Sequence, residues 1–275
     1  MATMLLDRAL PARPISQDIH VGEISKNLRD IARRLYDVRS LAIAEEALDE
    51  AGVILGLPWT CWTSDTSLPS ICPEAVQYCL SRGWHDKVME IWQDRRIPLQ
   101  TATYIRCRFE HLPFVTSLDE QRKKRASSKY SRLYEELRNM GISIMLSVPV
   151  HLPKGQVGMI TWNGSLPKKV VEASLSAISG DLLAIGHHFM RVYRDRLGYS
   201  PVAVEELSRL TPREQDCLRT LAQGYGEAEI ADILGILKST VHFHLHNVIR
   251  KFGCKNRTQA IALAAQLGIL GPIGP

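Results

Sequence analysis

Histidine, phenylalanine and arginine side chains recur on one face of a helix that we predict from about Ser239 to Phe252. In chain order, this face holds His242, Phe243, His246 and Arg250. The opposite face is an apolar stripe made of Val241, Leu245, Val248 and Phe252. A helix is narrow enough to enter the major groove of DNA, where histidine meets base edges and phenylalanine can contact a thymine methyl group. The spacing predicts a DNA-reading helix; the alternative is a three-helix bundle with one exposed polar face.

Hydroxyl and basic side chains of the same helix are suited to phosphates, which set position rather than sequence. They are Ser239, Thr240, Arg250 and Lys251. The whole chain carries a formal charge of only +5, but no acidic residue follows Asp232, whereas several basic ones do. This local asymmetry is typical of a surface that faces phosphates, and equally of a solvated basic helix end.

A helix-turn-helix unit precedes the DNA-reading helix. The segment Thr211–Glu214 predicts a helix start, because threonine caps, proline takes the first helical position and glutamate completes a capping box. A second short helix is predicted over Glu227–Leu234, and Gly235 leads into the turn before the third. Because His244 falls beside the apolar stripe, we expect it to be a packed structural histidine.

Upstream, helical periodicity surrounds one clear β hairpin. Helical patterns run through 21–55 and 82–95, and region 59–80 reads as short strands or loop. Ile142–His151 and Val157–Asn163 flank Pro153–Gly155 as an antiparallel hairpin. Leu166–Leu197 is predicted as a long helix, with the inward stripe Val170, Leu175, Ile178, Leu182, Ile185 and Phe189. The order predicts an α+β fold, in which an α-β-α sandwich precedes an all-α unit of four helices.

Composition excludes several protein classes. Apolar residues make up 45% and charged residues 23% of the 275 residues, as in soluble globular proteins. No apolar run is long enough to span a membrane, so we expect no membrane association. Six cysteines spread over so long a chain are typical of reduced thiols, and we therefore expect a cytoplasmic location. The six cysteines form no CxxC pair, and no Cys/His cluster has zinc spacing, so neither a metal nor a cofactor is expected. Cys79 and Cys107 lack a glycine-rich elbow or a base partner, so no catalytic residue is predicted.

Residues 207–270 resemble the DNA-binding domain of LuxR-type transcriptional regulators. The matching pieces are LTPRE at 210–214, EIA at 229–231, LGI at 234–236, TV at 240–241, HxxN..RKF at 244–252 and NRxQAI at 256–261. The resemblance implies a four-helix domain that dimerises and binds an inverted-repeat operator, with His242, Phe243 and His246 at base-facing positions. Leu237 stands where the family often has a capping serine, so Ser239 is expected to cap one turn later.

The first 195 residues are similar to the acyl-homoserine-lactone-binding domain of the same family, above all over Tyr134–Trp162. The resemblance implies a ligand held between sheet and helices. The family's ligand motif is altered here: Trp84 and Pro98 keep their spacing, but Val88 replaces a tyrosine and Ile97 replaces the aspartate that accepts the ligand amide N–H. We therefore predict that acyl-homoserine lactones are not bound in the usual way.

Two alternatives follow for the pocket: it binds another small apolar signal molecule, or it is filled by the protein's own side chains. The candidate lining residues are Trp59, Trp62, Trp84, Val88, Trp92, Ile97 and Tyr104; aromatic residues at such spacing are also typical of plain core. The predicted protein is a homodimeric transcription factor, activator or repressor, with RNA polymerase or another regulator as a further candidate partner. The alternatives are a lactone receptor with a rearranged pocket, an N-terminal domain that serves as a partner surface, and an enzyme with an appended DNA-binding domain.

The predicted domain boundaries follow from these patterns. They are an N-terminal extension at 1–20, a sensor and dimerisation domain at 21–197, a linker at 198–206 and a helix-turn-helix domain at 207–270.

Overall fold

The computed structural model describes residues 21–67, 71–94, 101–120, 128–197 and 210–270, with the backbone alone at 128–130 and 154. The predicted extension at 1–20 and linker at 198–206 lie outside these residues, as does Ile97. The chain separates into two compact units. The first is made of residues 1–151 and 157–198, and the second is made of residues 152–156 and 199–275.

The first unit contains seven helices and four strands among the described residues. They are α1 (Val21–Asp37), α2 (Leu41–Leu55), β1 (Trp59–Thr63), α3 (Pro73–Ser81), α4 (Asp86–Gln93), α5 (Ala102–Phe109), β2 (Phe114–Ser117), α6 (Ser128–Asn139), β3 (Ile144–His151), β4 (Val157–Gly164) and α7 (Lys168–Arg196). The strands form one antiparallel sheet in the order β1-β4-β3-β2. A single 3-10 turn at Pro153–Gly155 joins β3 to β4, and Gly155 has the positive φ of 70° that favours glycine. The predicted hairpin is therefore confirmed.

Helices cover both faces of the sheet, as the α-β-α sandwich requires. On one face, the indole of Trp62 packs against Phe189 and Tyr193 of α7, with ring centroids 5.0 Å apart in both pairs. Gly186 lets α7 approach closely, because a Cβ there would lie 2.9 Å from the Val150 side chain. Helices α3 to α6 lie over the opposite face, where Cys61 of β1 points. Since strand residues alternate between faces, neighbouring residues of β1 serve different layers.

Two details of the predicted secondary structure were wrong. Region 59–80 contains α3 as well as a strand, and the helix expected over 82–95 is the shorter α4, because Gly83 adopts a φ of 81° between the two helices. The stripe of the long helix begins at Val171, which is buried, whereas Val170 is 42% exposed. Within the described residues, no helix is both long and apolar enough to cross a membrane.

The second unit is made of four helices, as predicted. They are α8 (Pro212–Ala222), α9 (Glu227–Leu234), α10 (Lys238–Lys251) and α11 (Arg257–Gln266). The predicted capping box at the start of α8 is present, since Thr211 and Glu214 each accept a hydrogen bond from the other's backbone N–H. Two apolar clusters hold the helices together: one joins Leu218 of α8, Val248 of α10 and Ala260 of α11, and the other joins α8, α9 and α10.

Candidate nucleic-acid interface and ligand cavity

Helix α10 is held by its apolar stripe and begins one residue earlier than predicted. Val241, Leu245 and Val248 are 0–1% exposed and pack into the two clusters of the second unit. Leu237 is the N-cap residue, and its side chain cannot accept a hydrogen bond from the first turn of the helix. The side chain is 74% exposed. The expectation that Ser239 caps was wrong, because Ser239 lies inside the first turn of the helix.

The outward face of α10 carries a stripe of four exposed residues. Ser239, Phe243, His246 and Arg250 follow one another at intervals of four, three and four positions, which places them on one side of the helix. Phe243 is 61% exposed, and other large apolar side chains such as Phe109 are exposed as well. Its position beside polar and basic neighbours on one side of α10, rather than its exposure alone, makes it a candidate contact. We call these four residues the outer stripe. It offers a cation, an imidazole, a hydroxyl and an apolar ring to a flat or grooved partner.

Two of the other predicted DNA-binding residues, His242 and Lys251, have side-chain partners within the protein. In the outer stripe, the guanidinium of Arg250 donates to Oδ1 of Asn247 at 3.1 Å. His242 is exposed, but its Nδ1 lies 3.3 Å from Oε1 of Glu227 in α9. The ammonium of Lys251 lies 2.6 Å from Oε2 of Glu214, whose side chain is only 4% exposed. Thr240 is half-buried, and its backbone N–H donates to the carbonyl of Leu237.

The pairing of Glu214 with Lys251 ties α8 to the end of α10. Burial raises the pKa of the Glu214 carboxyl, but hydrogen bonds from Lys251 and Thr211 outweigh burial and hold it below its usual value. The carboxylate is therefore ionised at neutral pH. His244, expected to be packed, is half-buried, with its ring edge-on to Phe243 at 5.9 Å.

The first unit holds a small, almost wholly apolar cavity between the sheet and α4 to α6. Its volume is about 50 Å³. Among the predicted pocket residues, Trp84, Val88, Trp92 and Tyr104 line it. The other described lining residues, which the sequence patterns did not identify, are Cys61, Thr101, Thr103, Leu133, Tyr134, Leu137, Met145, Met159 and Thr161. The alternation of side chains along the strands is the signal that could have identified Cys61, Met145, Met159 and Thr161.

Of the predicted pocket residues that the structure describes, Trp59 and Trp62 do not line the cavity. Trp59 packs edge-on behind Trp84 at 6.0 Å, and Trp62 points to the opposite face of the sheet. Both were expected to line the pocket, and the alternation of β1 excludes Trp62. Ile97 lies outside the described residues.

Polar groups around the cavity bond to one another. The indole N–H of Trp84 donates to the Thr60 carbonyl at 3.0 Å, and that of Trp92 donates to the Tyr104 hydroxyl at 2.7 Å. The Cys61 thiol lies 2.9 Å from the Thr161 hydroxyl. None of the described lining residues is charged. Across the described parts of both units, no group of His, Cys, Asp or Glu side chains could hold a metal ion.

Comparisons with known proteins match both units. Residues 208–264 match the family model described as bacterial regulatory proteins, luxR family, and residues 73–193 match the autoinducer binding domain. The transcriptional activator protein VanR of Vibrio anguillarum is 32% identical over 151 residues, which are 54% of this chain and 61% of that protein. The HTH-type quorum sensing-dependent transcriptional regulator VjbR of Brucella melitensis is 52% identical over 63 residues, 23% of this chain and 24% of VjbR. The matched region thus spans less than two thirds of the length of these relatives.

A solved structure supports the fold. The crystal structure of Escherichia coli SdiA aligns with a TM-score of 0.54 at 18% identity, covering 89% of this chain and 98% of that one. A structure of SdiA in complex with octanoyl-rac-glycerol aligns with a TM-score of 0.52, also at 18% identity, over 88% of this chain and 95% of that one. The predicted α+β architecture is confirmed by these matches.

Proposed function

We propose that the chain is a sequence-specific transcriptional regulator of the luxR family, because residues 208–264 match the model of that family and residues 73–193 match the autoinducer binding domain. In this proposal a homodimer binds an inverted-repeat operator, and each protomer places α10 in the major groove. The outer stripe carries the proposal: four exposed residues lie on the side of α10 opposite its buried residues. That is the arrangement by which recognition helices read base edges.

Within the outer stripe, the residues divide by chemistry. His246 and Phe243 are suited to base edges and thymine methyl groups, whereas Arg250 and Ser239 are suited to phosphates. Thr240 and Lys251 support the phosphate contacts less directly, since Lys251 is already bound to Glu214. Glu214 holds α8 against the end of α10 and so fixes the angle of the helix.

The proposed domains are those predicted from the sequence: an extension at 1–20, a sensor and dimerisation domain at 21–197, a linker at 198–206 and the DNA-binding domain at 207–270. The regulator acts in the cytoplasm on double-stranded DNA, with RNA polymerase or a second regulator as its protein partner.

The sensor domain, in this proposal, does not bind acyl-homoserine lactones in the usual way. Pockets for drug-sized ligands have volumes of about 300–1,000 Å³, and this cavity, of about 50 Å³, has room for a few water molecules. The indole N–H of Trp84 is already used by the Thr60 carbonyl. Ile97 offers no acceptor for a ligand amide, and an unpaired buried amide costs about 1–3 kcal/mol, or roughly tenfold in affinity for each 1.4 kcal/mol.

No reaction is part of the proposal. Burial raises the pKa of the Cys107 thiol to about 12 and that of Cys79 well above its usual value, where a hydrogen bond with Cys61 adds to the effect. A thiol that stays protonated is a poor nucleophile. These observations disfavour the enzyme alternative.

Selection from a randomised duplex library with the purified full chain tests the proposal. We expect enrichment of an inverted repeat without any added lactone, and loss of that enrichment in the Phe243→Ala, His246→Ala double variant. A matched control is Ile233→Ala in α9, which also removes an exposed apolar side chain of the second unit. Failure to enrich any sequence, with or without lactones, would overturn the proposal; enrichment only with lactone would favour the rearranged-pocket receptor.

A further inference from the structure

His242 of α10 is the point where three helices exchange hydrogen bonds. Its Nδ1 lies 3.3 Å from Oε1 of Glu227 in α9 and 3.4 Å from Nη2 of Arg257 in α11. Arg257 also forms an ion pair with the same Glu227 oxygen. The Glu227 side chain is 14% exposed, whereas that of His242 is 63% exposed. The imidazole is therefore anchored at one nitrogen and open to its surroundings at the other edge.

The two partners of Nδ1 require different protonation states of that nitrogen. A carboxylate can only accept, so the contact with Glu227 requires a proton on Nδ1, whereas a contact with the Arg257 donor requires a lone pair there. Burial raises the pKa of Glu227, but His242 and Arg257 outweigh burial and hold it below its usual value, so Glu227 is an anion at neutral pH. Arg257 already donates to that anion, and the carboxylate is the stronger partner because its hydrogen bonds are charge-assisted.

We propose that Glu227 sets the tautomer of His242, and thereby makes the exposed Nε2 a hydrogen-bond acceptor that reads a base amino group. The inference rests on the proposed DNA-binding function and assigns Glu227 as a positioning residue. In neutral imidazole one nitrogen donates and the other accepts, so a proton held on Nδ1 leaves a lone pair on Nε2. In the major groove, the donors available to that lone pair are the N6 amino group of adenine and the N4 amino group of cytosine.

The tautomer can be measured directly on the full chain by the ¹⁵N shifts of histidine-labelled protein. The signal of His242 is assigned by its loss in His242→Gln. At about pH 8 we expect a protonated Nδ1 and an unprotonated Nε2 in the wild type. In Glu227→Gln the amide can donate or accept, so the two tautomers should mix. Asp232→Asn, which removes an exposed acidic charge from the same helix α9, should leave the signal unchanged.

Selection from a randomised library at about pH 8 tests the reading itself. We expect one position of each half-site to favour adenine or cytosine by about tenfold, which corresponds to about 1.4 kcal/mol. Glu227→Gln should lose this preference at that position only, and Asp232→Asn should keep it.

The results separate the inference from the proposed function. A wild-type His242 protonated on Nε2 at about pH 8 would overturn the inference, whatever the variants do. Selective binding whose base preference is unchanged by Glu227→Gln would overturn it too, while leaving the regulator proposal intact. Absence of any selective binding would instead refute the proposed function.

Discussion

Lys251→Met should destabilise the second unit while leaving the first unit folded. The substitution keeps the aliphatic stem of Lys251 but leaves the Glu214 carboxylate, 4% exposed, without its cation. Breaking a fully buried pair costs about 3–5 kcal/mol. Because the Lys251 side chain is 28% exposed, water screens part of that interaction, and we expect about 2–3 kcal/mol.

The assay must observe the two units separately. All five tryptophans precede residue 163, so tryptophan fluorescence reports the first unit alone. Amide hydrogen exchange of peptides from 210–270 reports the second unit, where the expected loss corresponds to exchange about 30- to 150-fold faster. Lys238→Met is the control, because Lys238 is an exposed lysine of the same helix α10. Unchanged protection in Lys251→Met would refute the reasoning.

The pair also gives the second unit a defined pH dependence. The pKa of Glu214 is lower in the folded state than in the unfolded chain. The stabilisation is therefore present above the unfolded pKa, about 4.3, and is lost as the pH falls through the folded value. In the wild type, protection of 210–270 should decline over that acidic range. In Glu214→Gln the decline should be shallower, and an equal slope in both proteins would contradict this account.

Three further outcomes follow from individual side chains. Arg250→Ala should weaken binding to all DNA sequences and make the salt dependence shallower by about one unit of slope; a loss confined to one operator sequence would instead make Arg250 a base contact. His246→Ala should relax base preference at one position of each half-site, and an unchanged preference in a randomised-site selection would remove it from the reading set. Leu237→Ser should supply the missing cap of α10 and stabilise the second unit by about 1 kcal/mol, seen as slower exchange in 238–242; no change would mean that the serine does not cap there.

A last prediction concerns ligand binding in the cavity of the first unit. Calorimetry and thermal shift with saturating acyl-homoserine lactones should show no tight binding by the full chain, since the cavity is small and its indole N–H groups have acceptors within the protein. Tight, stoichiometric binding would show that the role given to Ile97 is mistaken.

The elements that could be predicted are those whose signals are local. The 3.6-residue period placed α1, α7 and α10 to within a few residues, and the capping residues placed the start of α8. The α3 helix was missed because Pro73 and the tryptophans around it read as strand or loop. The predicted buried face of α7 was wrong at its first residue. Val170 and Val171 are adjacent, and only packing against the rest of the unit decides which of them is buried.

For the candidate sites, too, features within one element could be predicted and contacts between elements could not. The exposed face of α10 could be read from the sequence because one helix supplies all of it. The partners of His242 come from α9 and α11, at 15 positions on either side, and no periodicity connects them. Trp62 was assigned to the pocket because aromatic character alone does not reveal the face of a strand.

The hydrogen bonds that Trp84 and Trp92 make with Thr60 and Tyr104 have a consequence for how the polypeptide matures in the cell. Because these N–H groups are paired without any bound molecule, no ligand is needed to satisfy them during folding. We expect chains synthesised in bacteria that make no acyl-homoserine lactone to reach the same folded state.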